Sequence, residues 1–184
     1  MRNFLSKINR NILIPIILFS LIVTIACSQN KNNRNTATPK QYKENLLQAN
    51  KGLVDLDQDR IESYVKRRNW DMKVSETGMW YQIYDKKDGE KTKEKKIAHL
   101  KYQINLLDGT LCYTSDSLGV MKFKVGQGGV ESGLEEAILL MGVGDKGRFI
   151  MPPHLAHGLL GDNNKIPPRS IIVYQTELIK LTNY

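Results

Sequence analysis

Cysteine is scarce in this chain of 184 residues, which has two, Cys27 and Cys112. We expect Cys27 to carry a lipid, for reasons given below, so Cys112 is left alone and an intramolecular disulfide is excluded. An exported protein without that bond depends on its apolar core for stability. Cys112 has no base near it in the sequence, and we interpret it as a small buried apolar residue rather than a nucleophile.

Signals for metal and nucleotide binding are also few. The three histidines, His99, His154 and His157, show no metal-ligand spacing with acidic residues or cysteine. The glycine-containing segment 125–129, VGQGG, does not precede a helix with the lysine that a phosphate-binding loop requires. We therefore expect no cofactor and no metal.

The formal net charge of +8 shrinks when the N-terminus is set aside. Residues 1–26 contain three basic residues and no acidic one, so the charge without them is +5. Much of the remaining positive charge lies in residues 86–96, KKDGEKTKEKK, where acidic residues interrupt the lysines and no aromatic residue occurs. A nucleic-acid surface needs aromatic side chains among the basic ones. We interpret this run as a solvated loop and expect no nucleic-acid partner.

The N-terminus has the composition of a secretory signal. Arg2, Lys7 and Arg10 precede an apolar run of 15 residues, 12–26. That run is shorter than the roughly 20 residues that cross a bilayer as a helix, and a small residue ends it. We predict a signal peptide at residues 1–26, with a membrane-spanning anchor as the alternative.

Cys27 follows the apolar run directly, after Thr-Ile-Ala, and this context resembles the processing site of bacterial lipoproteins. In such proteins the cysteine is lipidated and becomes the first residue of the mature chain. The polar tract SQNKNNRNTATP is typical of a flexible tether, which we assign to residues 27–40. The resemblance implies a membrane lipoprotein of the cell envelope that faces the periplasm, on the outer membrane. An ordinary cleaved signal with an incidental cysteine is the alternative.

The next segment, residues 41–72, is predicted to form a helical spacer. One face of the helix would carry Ile61, Tyr64, Val65 and Arg68. A shorter helical piece at the start of this segment is expected to end at Gly52, because glycine is common after a helix end. Asp55 or Asp57 is then a candidate N-cap of the second piece. Nothing in this segment indicates chemistry.

From residue 73 onward the pattern is that of strands. Residues 79–84, MWYQIY, are rich in aromatic and β-branched side chains, and residues 120–126 predict a further strand. Asp108-Gly109 between two apolar runs predicts a hairpin. The last apolar run alternates so that one face carries Ile172, Tyr174, Thr176 and Leu178.

One helix interrupts these strands. Ser132 is followed three residues later by Glu135, which predicts a capping box. Leu134, Ile138 and Met141 then fall on one side of the helix. The combination predicts an α+β domain at residues 73–184, with a curved antiparallel sheet (a half-barrel) wrapped over one amphipathic helix and a helical spacer before it.

Three segments, DGTLCYTS, KFKVGQGGVESGLEEAILLMGVGDKGRFIMPPHLAHG and KIPPRSIIVYQTELIKL, have the order and spacing found in FKBP-type peptidyl-prolyl isomerases. The similarity covers residues 97–184. Its most specific parts are Pro152-Pro153, Ala156-His157-Gly158 and Ile166-Pro167-Pro168. The whole layout, with a lipoprotein signal, a helical spacer and one such domain, resembles the gliding-motility-associated FKBP-type lipoproteins.

This resemblance implies a peptidyl-prolyl cis-trans isomerase that assists the folding of exported proteins and binds their proline-containing segments. The implied catalytic residues are Tyr102, Glu131, His157 and Tyr174. The implied substrate-binding residues are Cys112, Tyr113, Met121, Phe123, Val130, Leu134 and Ile166. His157 falls where the family has a tyrosine whose hydroxyl meets the substrate carbonyl, and the backbone N–H of Glu131 falls where a donor grips the peptide. The proline pairs would fix the ends of the loop that holds His157 over the pocket.

The chain departs from the family pattern inside this pocket. Leu134 stands where the family has a tryptophan as the pocket floor. Cys112 and Tyr113 replace a Phe-Asp pair, and Met121 replaces another phenylalanine. Smaller groups pack a proline ring less well than aromatic rings do. We therefore expect weak or altered isomerase activity.

Two other functions fit the same residues. The cleft would serve a binding module for proline-containing segments without catalysis, within a motility or secretion complex. A purely structural lipoprotein would use Tyr102, Phe123 and Tyr174 as ordinary core aromatics and His157 as a polar loop residue.

Overall fold

A computed structural model of the chain describes residues 38–183. The predictions for the signal peptide 1–26, for lipidation of Cys27 and for most of the tether 27–40 lie outside the described residues. Within the described part, no helix is both long enough and apolar enough to cross a membrane. The chain divides into two units, residues 1–45 and 46–184, and every side-chain contact given below lies within the second.

Helix α1 covers Pro39–Arg67 without a break. The expected helix end at Gly52 is wrong, because that residue lies inside the helix. The capping role expected of Asp55 or Asp57 is wrong for the same reason. A glycine inside a helix costs about 1 kcal/mol relative to alanine. The leucine, glutamine, alanine and lysine residues before Gly52 are strong helix formers, and they offset this cost.

The C-terminal half of α1 has one buried face, made of Asp57, Ile61, Tyr64 and Val65. Its apolar members form a cluster with Ile150, Ile171 and Val173. Arg68, expected on the same face, places its guanidinium 3.5 Å from the centroid of the Tyr64 ring. Ile61, Tyr64 and Val65 therefore pack on the sheet as the periodicity indicates, whereas Arg68 lies just beyond the helix end and is exposed.

Seven strands form one antiparallel sheet in the described part of the chain. The strands are β1 Lys73–Val74, β2 Trp80–Asp85, β3 Ile97–Leu106, β4 Leu111–Thr114, β5 Met121–Lys124, β6 Lys146–Met151 and β7 Ile172–Thr182. Their order is β1-β2-β6-β7-β3-β4, and β5 also pairs with β3. The sheet is curved and unclosed, and the predicted α+β class is confirmed.

The local strand predictions are confirmed in two places. Strands β3 and β4 form the expected hairpin, with Gly109 at φ 93° and the Leu106 N–H donating to the carbonyl of Thr110. Strand β7 buries the four residues of its predicted inner face, Ile172, Tyr174, Thr176 and Leu178. Because β7 pairs with both β3 and β6, this face lies at the centre of the core.

The helices between the strands are short. Helix α2 covers Ser115–Leu118, α3 covers Ser132–Leu139, and a 3₁₀ turn covers Pro153–Leu155. The residues predicted for the inner side of α3 are fully buried: Leu134, Ile138 and Met141. The main apolar cluster contains them together with residues of β3 and β7.

The predicted capping box at the start of α3 is wrong. The N-cap is Glu131, and its side chain makes no capping hydrogen bond. Glu135 instead accepts hydrogen bonds from the N–H groups of Gly126 at 2.8 Å and Gly128 at 3.1 Å. Both glycines have positive φ angles, so their N–H groups turn toward the helix, and the carboxylate satisfies two donors there.

Candidate functional site

The structure brings the predicted pocket residues together. Six of them are buried in the main apolar cluster: Tyr102, Cys112, Phe123, Leu134, Ile166 and Tyr174. Three more are partly exposed and pack against it: Tyr113, Met121 and Val130. The remaining two, Glu131 and His157, are connected to this group by hydrogen bonds. These residues come from β3, β4, β5, β7, the start of α3 and the loop after β6, so the site depends on four strands of the sheet and on two segments outside it.

Burial divides these residues into an inner wall and a mouth. Leu134 and Tyr174 are 0% exposed and Ile166 is 1% exposed. Met121 and Val130 keep part of their surface in contact with solvent. The fully buried residues therefore form an apolar wall behind the partly exposed ones, and an apolar ligand would first meet the exposed surfaces of Met121 and Val130.

The polar centre of the site is the Glu131 carboxylate. The Tyr174 hydroxyl donates to it, at 3.1 Å from Oε1 and 3.2 Å from Oε2. His157 Nε2 lies 2.9 Å from Glu131 Oε1. The Glu131 side chain is 12% exposed and that of His157 is 26% exposed. The imidazole therefore points into the site, and an almost buried carboxylate connects it to a fully buried tyrosine.

The tyrosine hydroxyls of the site stay protonated. Burial raises the pKa of Tyr174 well above its ordinary value, and the Glu131 carboxylate raises that pKa further. Burial and then Glu131 also raise the pKa of Tyr102, whose ring centroid lies 6.5 Å from that of Tyr174. Both groups are therefore hydrogen-bond donors at neutral pH and do not serve as bases.

Cys112 is 1% exposed, and its thiol lies 3.6 Å from the carbonyl oxygen of Lys165. Burial is the main factor that raises the pKa of this thiol. A neutral buried thiol is a poor nucleophile. The structure thus places Cys112 as the apolar wall residue that its sequence context indicates.

Hydrogen bonds within the loop after β6 hold His157 in place. Ala156 N–H and Gly158 N–H, on either side of it, both donate to the carbonyl of Pro153, at 3.1 Å and 2.8 Å. Gly158 has φ 61°, a value that glycine adopts without strain. The Gly158 carbonyl in turn accepts from the N–H of Arg169 at 3.0 Å. These hydrogen bonds fix the backbone on both sides of His157 and thereby hold its imidazole in position.

Asp162 organises the far half of the same loop. Its Oδ1 accepts hydrogen bonds from the N–H groups of Asn164 at 2.9 Å and Ile166 at 2.8 Å, and the Tyr113 hydroxyl donates to its Oδ2. Burial opposes ionisation, but these hydrogen bonds together lower the pKa of Asp162. Tyr113, predicted from the sequence as a substrate contact, therefore uses its hydroxyl to anchor the loop that carries Ile166.

A buried ion pair connects α1 to this loop. Arg169 Nη2 lies 2.5 Å from Asp57 Oδ2, and the Asp57 side chain is only 5% exposed. Arg169 has φ 56°, which is uncommon for a residue other than glycine. Both residues border an open cavity of about 790 Å³ between α1 and the strand ends.

The sequence missed three elements of the site: the Glu131 side chain, Asp162 and the Asp57–Arg169 pair. Glu131 was singled out for its backbone N–H alone. The Pro-Pro-Arg sequence at 167–169 carried a weak signal of a constrained turn, but nothing pointed to Asp57 as its partner. Among residues 38–183, no group of three or more His, Cys, Asp or Glu side chains is arranged to hold a metal ion.

Comparison with known proteins places the chain in a family. The sequence profile described as FKBP-type peptidyl-prolyl cis-trans isomerase matches residues 88–179. FK506-binding protein 2 of Yarrowia lipolytica is 36% identical over 95 residues, which are 51% of this chain and 66% of that protein. FK506-binding protein 2 of Dictyostelium discoideum is 37% identical over 90 residues, 48% of this chain and 68% of that protein. The peptidyl-prolyl cis-trans isomerase FKBP9 of Mus musculus is 37% identical over 92 residues, but the chain spans only 16% of its length.

Solved structures give the same assignment of the fold. AtFKBP13 superposes with a TM-score of 0.59 at 25% identity, covering 61% of this chain and 99% of that one. FkpA from Escherichia coli superposes with a TM-score of 0.61 at 23% identity, covering 92% of this chain and 81% of that one. At 23% identity, the similarity to FkpA shows a shared fold only. On the profile match and the identity to the FK506-binding proteins, the chain belongs to the family of FKBP-type peptidyl-prolyl cis-trans isomerases.

Proposed function

We propose that the chain is a peptidyl-prolyl cis-trans isomerase that assists the folding of exported proteins. The observation that carries the proposal is the arrangement of His157, Glu131 and Tyr174 beside a buried apolar wall. A proline ring can pack against an apolar surface, and the imidazole can donate a hydrogen bond to the carbonyl that precedes the proline. Family membership supports the same activity.

Such a site needs no nucleophile. Rotation about a prolyl amide meets a barrier of about 18–20 kcal/mol, because twisting removes amide resonance. The twisted amide is less charge-separated than the planar one, so a dry apolar environment favours it over the ground state. Oriented hydrogen-bond donors add to this effect where their contact improves on twisting.

The roles of individual residues follow from this chemistry. Met121 and Val130 at the mouth contact the proline ring together with Phe123, and the buried Leu134 and Ile166 belong to the apolar wall behind them. The imidazole of His157, with its hydrogen on Nε2, donates to the substrate carbonyl. The backbone N–H of Glu131 has no hydrogen-bond partner within the described part of the chain, and it binds the carbonyl that follows the proline.

Proline-limited refolding of a model protein tests the activity. Catalytic amounts of the chain should accelerate the slow phase, which takes about 10–100 s without a catalyst at 25 °C. His157→Ala should lower kcat/KM about two- to tenfold, the value of one neutral hydrogen bond. Leu159→Ala is the matched control, because Leu159 lies in the same loop and its side chain is exposed. No acceleration by the wild-type chain would refute the enzyme proposal.

A second candidate is a module that binds proline-containing segments without catalysis, in a motility or secretion complex. It is favoured by the bond between Glu131 and His157, which a substrate has to break before the imidazole is free. The replaced aromatic residues favour it as well. Peptide binding without faster cis–trans exchange would identify this function.

The proposal also covers the cellular location of the chain and its subgroup within the family. We propose that the chain is anchored through a lipid on Cys27, faces the periplasm from the outer membrane, and belongs with the gliding-motility-associated FKBP-type lipoproteins. The signal-like N-terminus and the polar tract after Cys27 support it. Metabolic labelling with an alkyne fatty acid should label the wild-type protein and leave Cys27→Ser unlabelled. Equal labelling of the two would refute the anchor.

A further inference from the structure

One charged group lies inside a site made otherwise of apolar walls and neutral donors, and that group is the carboxylate of Glu131. Its Oε1 receives hydrogen bonds from Tyr174 and His157, while its Oε2 has the Tyr174 hydroxyl at 3.2 Å. At 12% exposure, the side chain has little contact with water. The charge therefore depends on donors supplied by the protein or by a ligand.

Two other carboxylates near the site already accept hydrogen bonds from donors of their own. Asp162 is held by Tyr113 and by two backbone N–H groups of its own loop. Glu135 is occupied by the N–H groups of Gly126 and Gly128. Among these three carboxylates, Glu131 alone is bonded to His157, the group proposed to donate to the substrate carbonyl.

Substrate binding changes the hydrogen bonds of Glu131. When the imidazole turns to a peptide carbonyl, Glu131 Oε1 keeps only the Tyr174 hydroxyl. A buried acceptor that loses a donor is destabilised unless another donor replaces it. A lysine or arginine side chain of the substrate, next to the proline, would supply that donor and a neutralising charge.

We propose that Glu131 is a specificity-determining residue that makes the site prefer prolyl segments with lysine or arginine adjacent to proline and discriminate against glutamate there. The proposal rests on the proposed isomerase function and names its substrate class. Carboxylate repulsion disfavours an acidic neighbour, and an uncharged neighbour leaves Glu131 short of a donor. We therefore expect kcat/KM to be highest with a basic residue next to proline, lower with a neutral one and lowest with an acidic one.

The test uses the full chain and three otherwise identical peptides with lysine, norleucine or glutamate before proline. The lysine peptide should exceed the norleucine peptide in kcat/KM by about fivefold, the upper range for a partly exposed ion pair. The preference should weaken in 0.5 M salt, because mobile ions screen such pairs. In Glu131→Gln, which keeps the size and an acceptor oxygen, the three peptides should have equal values.

Glu136→Gln is the matched control, since it removes the same charge from the helix that begins directly after Glu131, where the Glu136 carboxylate accepts a hydrogen bond from Thr77 outside the site. It should leave the preference unchanged. Glu131→Ala is the second variant, used if Glu131→Gln fails to fold, and it should lose the preference too. Equal rates for the three peptides in wild type, or a preference that survives in the folded Glu131 variant, would overturn the inference while the isomerase function stands. No turnover of any peptide would instead refute the proposed function.

Discussion

The Asp57–Arg169 pair offers the sharpest test of how α1 supports the site. Asp57→Ala would leave the Arg169 guanidinium without the carboxylate that now lies 2.5 Å away. Breaking a buried ion pair costs about 3–5 kcal/mol. Arg169 is 29% exposed and borders the open cavity, so water will recover part of that cost. We therefore expect a loss of about 1.5–3 kcal/mol in the free energy of unfolding.

Urea unfolding of the full chain, followed by tryptophan fluorescence, measures this loss. Asp59→Ala is the control, because Asp59 lies on the same helix, carries the same charge and is exposed. A double-mutant cycle with Arg169→Ala should give a coupling of at least about 0.5 kcal/mol. Asp57→Ala should also lower isomerase activity, since Arg169 N–H holds the Gly158 carbonyl beside His157. Equal stability of Asp57→Ala and Asp59→Ala would refute the assigned role of the pair.

Three further predictions concern stability. Ile61→Ala, at a fully buried position of α1, should cost about 2–4 kcal/mol in urea unfolding, and a loss below 1 kcal/mol would contradict the packing of α1. Tyr174→Phe removes a buried donor to Glu131 and should cost about 1–2 kcal/mol, whereas an unchanged urea midpoint would argue against that bond. Asp162 has a lowered pKa in the folded chain, so its stabilisation is present above the unfolded value near 4 and disappears as pH falls through the folded pKa. The stability difference between wild type and Asp162→Asn should therefore be constant above about pH 5 and shrink toward pH 2, and a difference independent of pH would contradict it.

Much of the fold was predictable because short periodic patterns in the sequence specify its strands and helices. The alternation in β7 places Tyr174 and its neighbours on one buried face, and the 3.6-residue spacing in α3 places Leu134 and Ile138 inside. Asp108-Gly109 specifies its turn through local backbone preference alone. The apolar members of the candidate site follow from the same patterns together with the resemblance to the family.

The polar half of the site was not predictable in this way. Tyr174 and Glu131 are 43 residues apart in sequence, and Arg169 and Asp57 are 112 apart. No local pattern encodes which carboxylate meets which donor across such distances. The capping box failed for a different reason, because the N–H groups of Gly126 and Gly128, in the loop before the helix, take the Glu135 carboxylate that the capping box requires.

The most direct test of the central claim is exchange spectroscopy on a proline-containing peptide titrated with the full chain. The cis–trans exchange rate should rise in proportion to the chain concentration at substoichiometric amounts. Amide and imidazole signals of Glu131 and His157 should shift in the same titration. Shifts at these residues with an exchange rate fixed at the uncatalysed value would contradict the claim that this site lowers the rotational barrier.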